Sequence, residues 1–201
     1  MAERAAPPGR PGRRPGNPDT RAGVLAAAKA EFAGKGFDRT TIRGVARSAG
    51  VDPALVHHYF GSKDDLFLAA MEIPFDPREA IPALAEGGIA GLGERIVGLF
   101  VGVWDVEANR LPLLGLVRAA MSTEDAASLL RSGLARMVMD TVAELLSDPD
   151  ALLRSRLVAS QLIGLAVARY LLELEPLASL PPAEVVTAVG PTLQRYLDGP
   201  L

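Results

Sequence analysis

Residues Thr40 to Lys63 read TTIRGVARSAGVDPALVHHYFGSK, and this stretch decides the fold. Ile42, Val45, Ala46 and Ala49 recur at the spacing of one helical face, so a short amphipathic helix is expected to start at Thr40. Gly50 closes it, because the left-handed backbone of a tight turn disfavours residues with a Cβ. Asp52 then caps a second helix with Pro53 at its first position, where the missing N–H costs nothing, and Gly61 ends it. Two short helices across a tight turn make a helix-turn-helix. Val51, Val56 and Phe60 are expected to face inward against Phe32, Ile42 and Val45, while the small Ala46 and Ala49 let the helices cross closely. The opposite face then presents Pro53, Ala54, Leu55, His57, His58 and Tyr59, with Lys63 one turn further on. Small apolar side chains suit the thymine methyl at a base edge, whereas hydroxyls and amines suit phosphate oxygens. The N–H groups opening the first helix at Thr41 and Ile42 also suit a phosphate.

Upstream, Val24, Leu25, Ala28 and Phe32 form the apolar face of a helix capped at Asp19 or Thr20 and stopped by Gly34 and Gly36. Residues 1–18 hold five prolines and Arg4, Arg10, Arg13 and Arg14, a composition that cannot bury a core and is expected to be a disordered arm. Its arginines either reach a minor groove or add solubility. Downstream, Ser62 caps a fourth helix from Lys63 to about Ile73, and Asp65 three residues later completes a weak capping box.

Charge follows the same division. The 201 residues carry a formal net charge of -3, but residues 1–63 hold eleven basic against five acidic side chains, and residues 64–201 hold ten against nineteen. A basic first third fits a polyanion-binding surface or a solvated bias. The chain has no cysteine and two histidines, which excludes disulfide scaffolds, Cys-ligated zinc and thiol chemistry. His57 and His58 lie about 100° apart on a helix with no carboxylate to complete a ligand set, so no metal and no cofactor is expected. No catalytic constellation or phosphate loop is present, so the chain is not expected to be an enzyme. The longest uncharged apolar-rich run, Leu157 to Ala168, is twelve residues, short of a membrane span, and the N-terminus has no apolar signal region. A cytoplasmic protein without membrane contact is the expectation.

The helix-turn-helix, the preceding LAAAKAEFAGKGFDR and the closing HHYFGSKDDLF resemble the TetR family of transcriptional regulators over about Thr20 to Met71. The resemblance implies an all-α fold: a three-helix DNA-binding domain at 19–63, then a larger helical effector-binding and dimerisation domain at 64–201. It implies that Thr40 caps the second helix, that Thr41 and Arg43 approach the DNA backbone, and that Ala54 and Leu55 read bases. His57, Tyr59 and Lys63 fall on its phosphate-contacting positions. His57 stands where Tyr is usual, Leu55 where Thr is frequent, and Asp52 where a Ser cap is typical.

The acidic remainder resembles effector domains common among actinobacterial members, but matches mainly in layout. Helices are expected near 78–86, 92–106, 111–122, 124–146, 150–174 and 183–197, with no credible strand. The helix from Asp150 is apolar nearly all round, and the last helix repeats the theme. Leu157, Gly164, Ala168, Val185, Val189, Leu193 and Tyr196 are therefore expected to form a two-fold four-helix bundle or, alternatively, an intramolecular core. A dimer suits a palindromic operator in double-stranded DNA, with half-sites about 34–36 Å apart or at multiples of that.

Candidates to line an effector pocket are Met71, Phe75, Phe100, Val103, Trp104, Leu114, Arg118, Met121, Met137 and Gln161, with Leu113 and Val117 beside them. Arg118, Gln161 and Arg169 would need partners if buried: a ligand's polar group, or an acid such as Asp105 or Glu173. Six glycines between Gly87 and Gly102 mark a place where ligand binding could shift the fourth helix. The expected function is a homodimeric repressor released by a small hydrophobic or aromatic ligand; the alternative is a regulator without a small-molecule effector, controlled by a protein partner or by expression level.

Overall fold

In the computed structural model, residues 18–201 are described, so the arm at 1–17 and its arginines lie outside the described residues. Helix α1 (Pro18–Arg39) bends at Gly36, whose φ of 75° is left-handed. Then follow α2 (Ile42–Ala49), α3 (Pro53–Phe60) and α4 (Lys63–Ala70). The larger part comprises α5 (Pro77–Ala85), α6 (Leu92–Trp104), α7 (Glu107–Ser122), α8 (Glu124–Leu130), α9 (Arg136–Leu145), α10 (Ala151–Ala166) and α11 (Pro182–Asp198). No strand occurs among the described residues.

The signals at Gly50, Asp52 and Ser62 act as read, whereas α1 runs past Gly34 and Gly36 to Arg39. Gly50 (φ 66°) closes α2 and gives its N–H to the Ala46 and Arg47 carbonyls. Asp52 accepts from the Ala54 N–H at 2.8 Å, with Pro53 at the first position of α3. Ser62 and Asp65 form a complete capping box on α4. Val24, Ala28, Phe32, Val45, Ala46 and Val56 are fully buried in one core with Phe37, Phe60, Leu66 and Phe67. That core extends past α4 to Leu129 and Met137.

Two expected long helices contain π-turns. The 124–146 helix is broken by a π-turn at Arg131–Ala135, where Gly133 leaves helical geometry (φ -98°, ψ -105°). Helix α10 runs into a π-turn at Val167–Leu171. Taken together, Ala151–Leu171 is 21 residues, long and apolar enough by length and composition to cross a membrane when charges are allowed within it, although its longest uncharged run remains the twelve residues Leu157–Ala168. Of its three charged residues, Arg154 and Arg169 are buried in the fold and bonded there, whereas Arg156 is exposed. Arg154 donates to the Tyr196 and Gly199 carbonyls and pairs with Asp148 at 3.0 Å.

Helix α11 packs more extensively on α6 than any other pair of elements, because glycines meet at the crossing. A Cβ on Gly93 would lie 2.5 Å from the Gly190 carbonyl oxygen, and one on Gly190 would lie 2.6 Å from Glu94 Cγ. This close contact fills the second core with Ile96, Val97, Val101, Val185, Leu193 and Leu197. Val185 and Leu193 are thus fully buried within the chain, and their assignment to a dimer interface is corrected.

Candidate DNA-binding face and apolar cavity

Helix α3 buries Val56 and Phe60 and turns Pro53, Ala54, His57 and His58 to solvent, with Leu55 half-buried at the edge. This is the face read from the sequence, and the capped N-terminus of α3 holds it. On α2, Thr41 and Arg43 are exposed. Thr41, not Thr40, is the N-cap: its hydroxyl accepts from the Gly44 N–H at 3.0 Å. Thr40 is buried, and its hydroxyl donates to the Gly36 (2.8 Å) and Glu31 (3.1 Å) carbonyls, fastening the bent end of α1. A hydroxyl spent inside the fold is not offered to a phosphate, and the Thr40 assignment is corrected. Tyr59 likewise turns its ring toward the first core, and its hydroxyl is buried. The i, i+3 relation to Val56 draws that ring inward.

Lys63, at the start of α4, is tethered. Its Nζ donates to the Phe37 carbonyl at 3.1 Å and lies 4.3 Å from the centre of the Phe37 ring. It borders a groove also walled by Lys35, Arg39, Thr41, Arg43 and Arg47. Five cationic side chains there outnumber the acids Glu31 and Asp38. Glu31 is engaged by Lys35 and by the Ser48 hydroxyl at 2.8 Å, hydrogen bonds that hold its carboxyl below the usual range. The sequence reading missed Lys35, Arg39 and Arg47. For Arg47 the signal was its i, i+4 relation to Arg43 on α2, whereas Lys35 and Arg39 lie on either side of the Gly36 bend and share no regular helix face.

Behind this unit lies a cavity of about 130 Å³. Its wall comprises Phe75 and Ile81; Ile96, Leu99, Phe100, Val103 and Trp104 of α6; and Leu113, Leu116 and Val117 of α7. Leu130, Leu134, Ala135, Val138 and Val142, with Val158, Ala159, Leu162, Ile163 and Ala166 of α10, complete it. Every lining residue is apolar. Phe100 and Trp104 stack at 5.4 Å between ring centres, and Tyr170 backs Trp104 at 5.2 Å.

Four of the ten pocket candidates, Phe75, Phe100, Val103 and Trp104, meet there with Leu113 and Val117. The others do not line it. Met71 and Met137 pack in the first core, Met71 at the end of α4 and Met137 from α9. Met137 joins that core while its neighbour Val138, about 100° round the helix, lines the cavity. Leu114 is buried beside the wall without forming it. Arg118 and Met121 are exposed on α7, which outruns the core at its C-terminal end, and Gln161 is half-buried outside the wall. The polar groups expected to meet a ligand are therefore absent from the lining.

Arg169 finds its partners within the chain. It donates to the Leu177 carbonyl at 2.5 Å and the Leu180 carbonyl at 2.9 Å, and lies 3.6 Å from Asp105. The Tyr170 hydroxyl donates to Asp105 at 2.8 Å; burial, together with that carboxylate, pushes Tyr170 up to about 12. A second ion network holds α4. Arg78 bridges Asp64, Asp65 and Asp76, and Arg136 reaches Asp64 at 3.1 Å. Burial opposes ionisation of Asp65, but hydrogen bonds from Ser62 and Arg78 outweigh it and hold its carboxyl below the usual range.

The remaining interface candidates divide. Gly164 is exposed and Leu157 and Ala168 are half-buried, whereas Val189 and Tyr196 pack against the second core. Leu152, Leu153 and Ile163 are the large apolar side chains that α10 exposes.

A family profile described as bacterial regulatory proteins, tetR family, matches residues 24–70. One described as tetracyclin repressor-like, C-terminal domain, matches residues 90–197. The chain is similar to the crystal structure of a TetR-family regulator from Streptomyces coelicolor A3, at 40% identity, covering 92% of this chain and 98% of that one with a TM-score of 0.55. It is also similar to NalD, the secondary repressor of the MexAB-OprM multidrug efflux pump in Pseudomonas aeruginosa, at 20% identity, 89% and 95% coverage and a TM-score of 0.49. The HTH-type transcriptional regulator BetI of Rhizobium meliloti is 37% identical over 82 residues, 33% of this chain and 40% of that protein, so the match spans less than half of that relative's length. With the helix-turn-helix, its capped α3 and both profile matches in place, the chain belongs to the TetR family of DNA-binding transcriptional regulators.

Proposed function

We propose that the protein is a cytoplasmic, homodimeric repressor that leaves its operator when a small, uncharged apolar molecule fills the cavity. Residues 19–63 form the DNA-reading unit, and 64–201 form the effector and dimer unit. The observation that carries the effector reading is the wholly apolar wall directly behind the reading unit. Ala54 and Leu55 contact base edges. Pro53, His57 and His58 flank them, and Thr41, Arg43, Arg47 and Lys63 meet phosphates. The exposed face of α10, with Leu153, Ile163 and Gly164, is the surface we assign to the partner copy.

Selection from a random duplex pool is expected to recover an inverted repeat, and a single unpaired half-site would overturn the dimeric reading. On the recovered duplex, Arg43→Ala is expected to weaken binding alike on selected and random sequence and to lower the salt slope by about one. Leu55→Ala is expected to cost about 1–3 kcal/mol on the selected sequence and little on random DNA. Equal losses on both sequences would remove Leu55 from base reading.

The cavity's size and lining set the ligand. Typical ligand pockets exceed about 300 Å³, whereas a dry apolar cavity of about 150 Å³ accepts benzene. At about 130 Å³ the site suits one aromatic ring or the end of an alkyl chain. With no polar side chain to meet a carboxylate, calorimetry is expected to show benzene binding at least about 100-fold more tightly than benzoate. Equal affinity for the two would overturn the apolar-effector reading.

A further inference from the structure

The cavity and the DNA-reading unit share one wall. Leu134, in the π-turn Arg131–Ala135, lines the cavity and packs against both the first and the third core. One residue earlier, Gly133 faces the other way: a Cβ there would lie 2.5 Å from Phe67 Cζ, so the ring of α4 rests directly on the backbone of the turn. Phe67 is fully buried and meets Phe32 and Phe37 edge-on at 5.2 and 5.3 Å, which carries the contact into α1. Arg136, the first residue after the turn, bonds Asp64 at the start of α4 and lies over the Phe37 ring at 5.2 Å. The glycine-rich segment 87–102, the place favoured by the sequence, is held elsewhere: Arg95 clasps the Leu84, Gly88 and Ala90 carbonyls, and α6 packs mainly on α11.

We infer that the π-turn at Arg131–Ala135 couples cavity occupancy to DNA binding, by shifting the Gly133–Phe67 seat and with it α4. This rests on the reading of the cavity as the effector site. A π-turn holds one residue more than an α-turn, so the segment has a discrete alternative: releasing that residue turns the helix by about 100° and advances it about 1.5 Å. A ligand pressing on Leu134 and Ala135 discriminates between the two arrangements, which is the differential affinity a switch requires. Gly133 is the position at which the ring and the backbone touch without an intervening side chain.

The test fills the cavity covalently from α10 rather than from the turn. Ala166 is buried on α10 and lines the cavity, so Ala166→Leu adds bulk there. On the selected duplex, Ala166→Leu is expected to weaken binding at least tenfold in the otherwise unaltered protein, and less than twofold when Phe67→Leu has removed the ring from Gly133. Hydrogen exchange on the unaltered protein with benzene supplies a measurement that needs no variant to fold. Changed protection at Ser132–Arg136 and Asp64–Ala70 supports the coupling, and a change confined to α6, α7 and α10 overturns it. Benzene binding with equal weakening by Ala166→Leu in both backgrounds overturns the coupling and leaves the effector reading standing. No benzene binding and no effect of Ala166→Leu overturns both.

Discussion

Gly93→Val is expected to lower unfolding stability by about 3 kcal/mol or more, at the upper end of the cost of overpacking a core. The physical reason is that the obstacle is backbone. A Cβ at 93 would meet the Gln194 nitrogen and the Gly190 carbonyl oxygen, both at 2.5 Å, and no rotamer change relieves that. The Gly93 N–H also donates to Gln194 Oε1 at 2.9 Å, and Gln194 Nε2 reaches the Ile89 carbonyl at 3.0 Å, so moving α6 breaks a small bridge. Separating α6 from α11 opens the second core along its length. Gly102, on the same helix, has nothing within 4 Å of a Cβ, and Gly102→Ala is expected to raise stability by up to about 1 kcal/mol through helix propensity. Urea unfolding of the two variants separates close packing from propensity. An unchanged midpoint for Gly93→Val would show that the two helices do not meet as described.

Arg169→Met is expected to cost about 3 kcal/mol, because it removes a buried charge-assisted donor and leaves its acceptors behind. The guanidinium ties the Leu177 and Leu180 carbonyls to the end of α10 and stands beside Asp105, which also accepts from Tyr170. Methionine keeps the length and apolar volume of the stem but supplies no donor. Hydrogen exchange is therefore expected to quicken across 172–181 before α6 and α11 open. Uniform loss of protection throughout the protein would instead mean that Arg169 supports the core rather than this segment.

Much of the reading unit was legible because its signals are local. Asp52, Pro53, Gly50 and the Ser62–Asp65 pair act within four residues of themselves, and Val24, Ala28, Phe32, Val45 and Val56 repeat at helical spacing. Thr40 and Tyr59 were misread for one reason. Each side chain has a polar end that suits a phosphate, but Thr40 bonds back to Gly36 and Glu31 across the bend of α1, and Tyr59 packs on the first core with its hydroxyl buried. The effector part was less legible because apolar periodicity says that a face is buried but not against what. Val185 and Leu193 carry the same signal whether they meet a second copy or α6. Met137 and Val138 are neighbours on α9, yet one joins the first core and the other lines the cavity.

By itself the sequence determined an all-helical chain, a helix-turn-helix with its turn glycine and the Asp52 cap of its second helix, and a basic reading unit joined to an acidic remainder, since propensity, capping and charge are properties of residues and near neighbours. The tertiary structure decided which apolar faces meet, that Arg169 is satisfied within the chain, that the cavity wall holds no polar group, and that a π-turn stands between cavity and α4. Those outcomes depend on distances between residues far apart in the chain, such as Gly93 with Gly190 and Phe67 with Gly133, which no local pattern encodes.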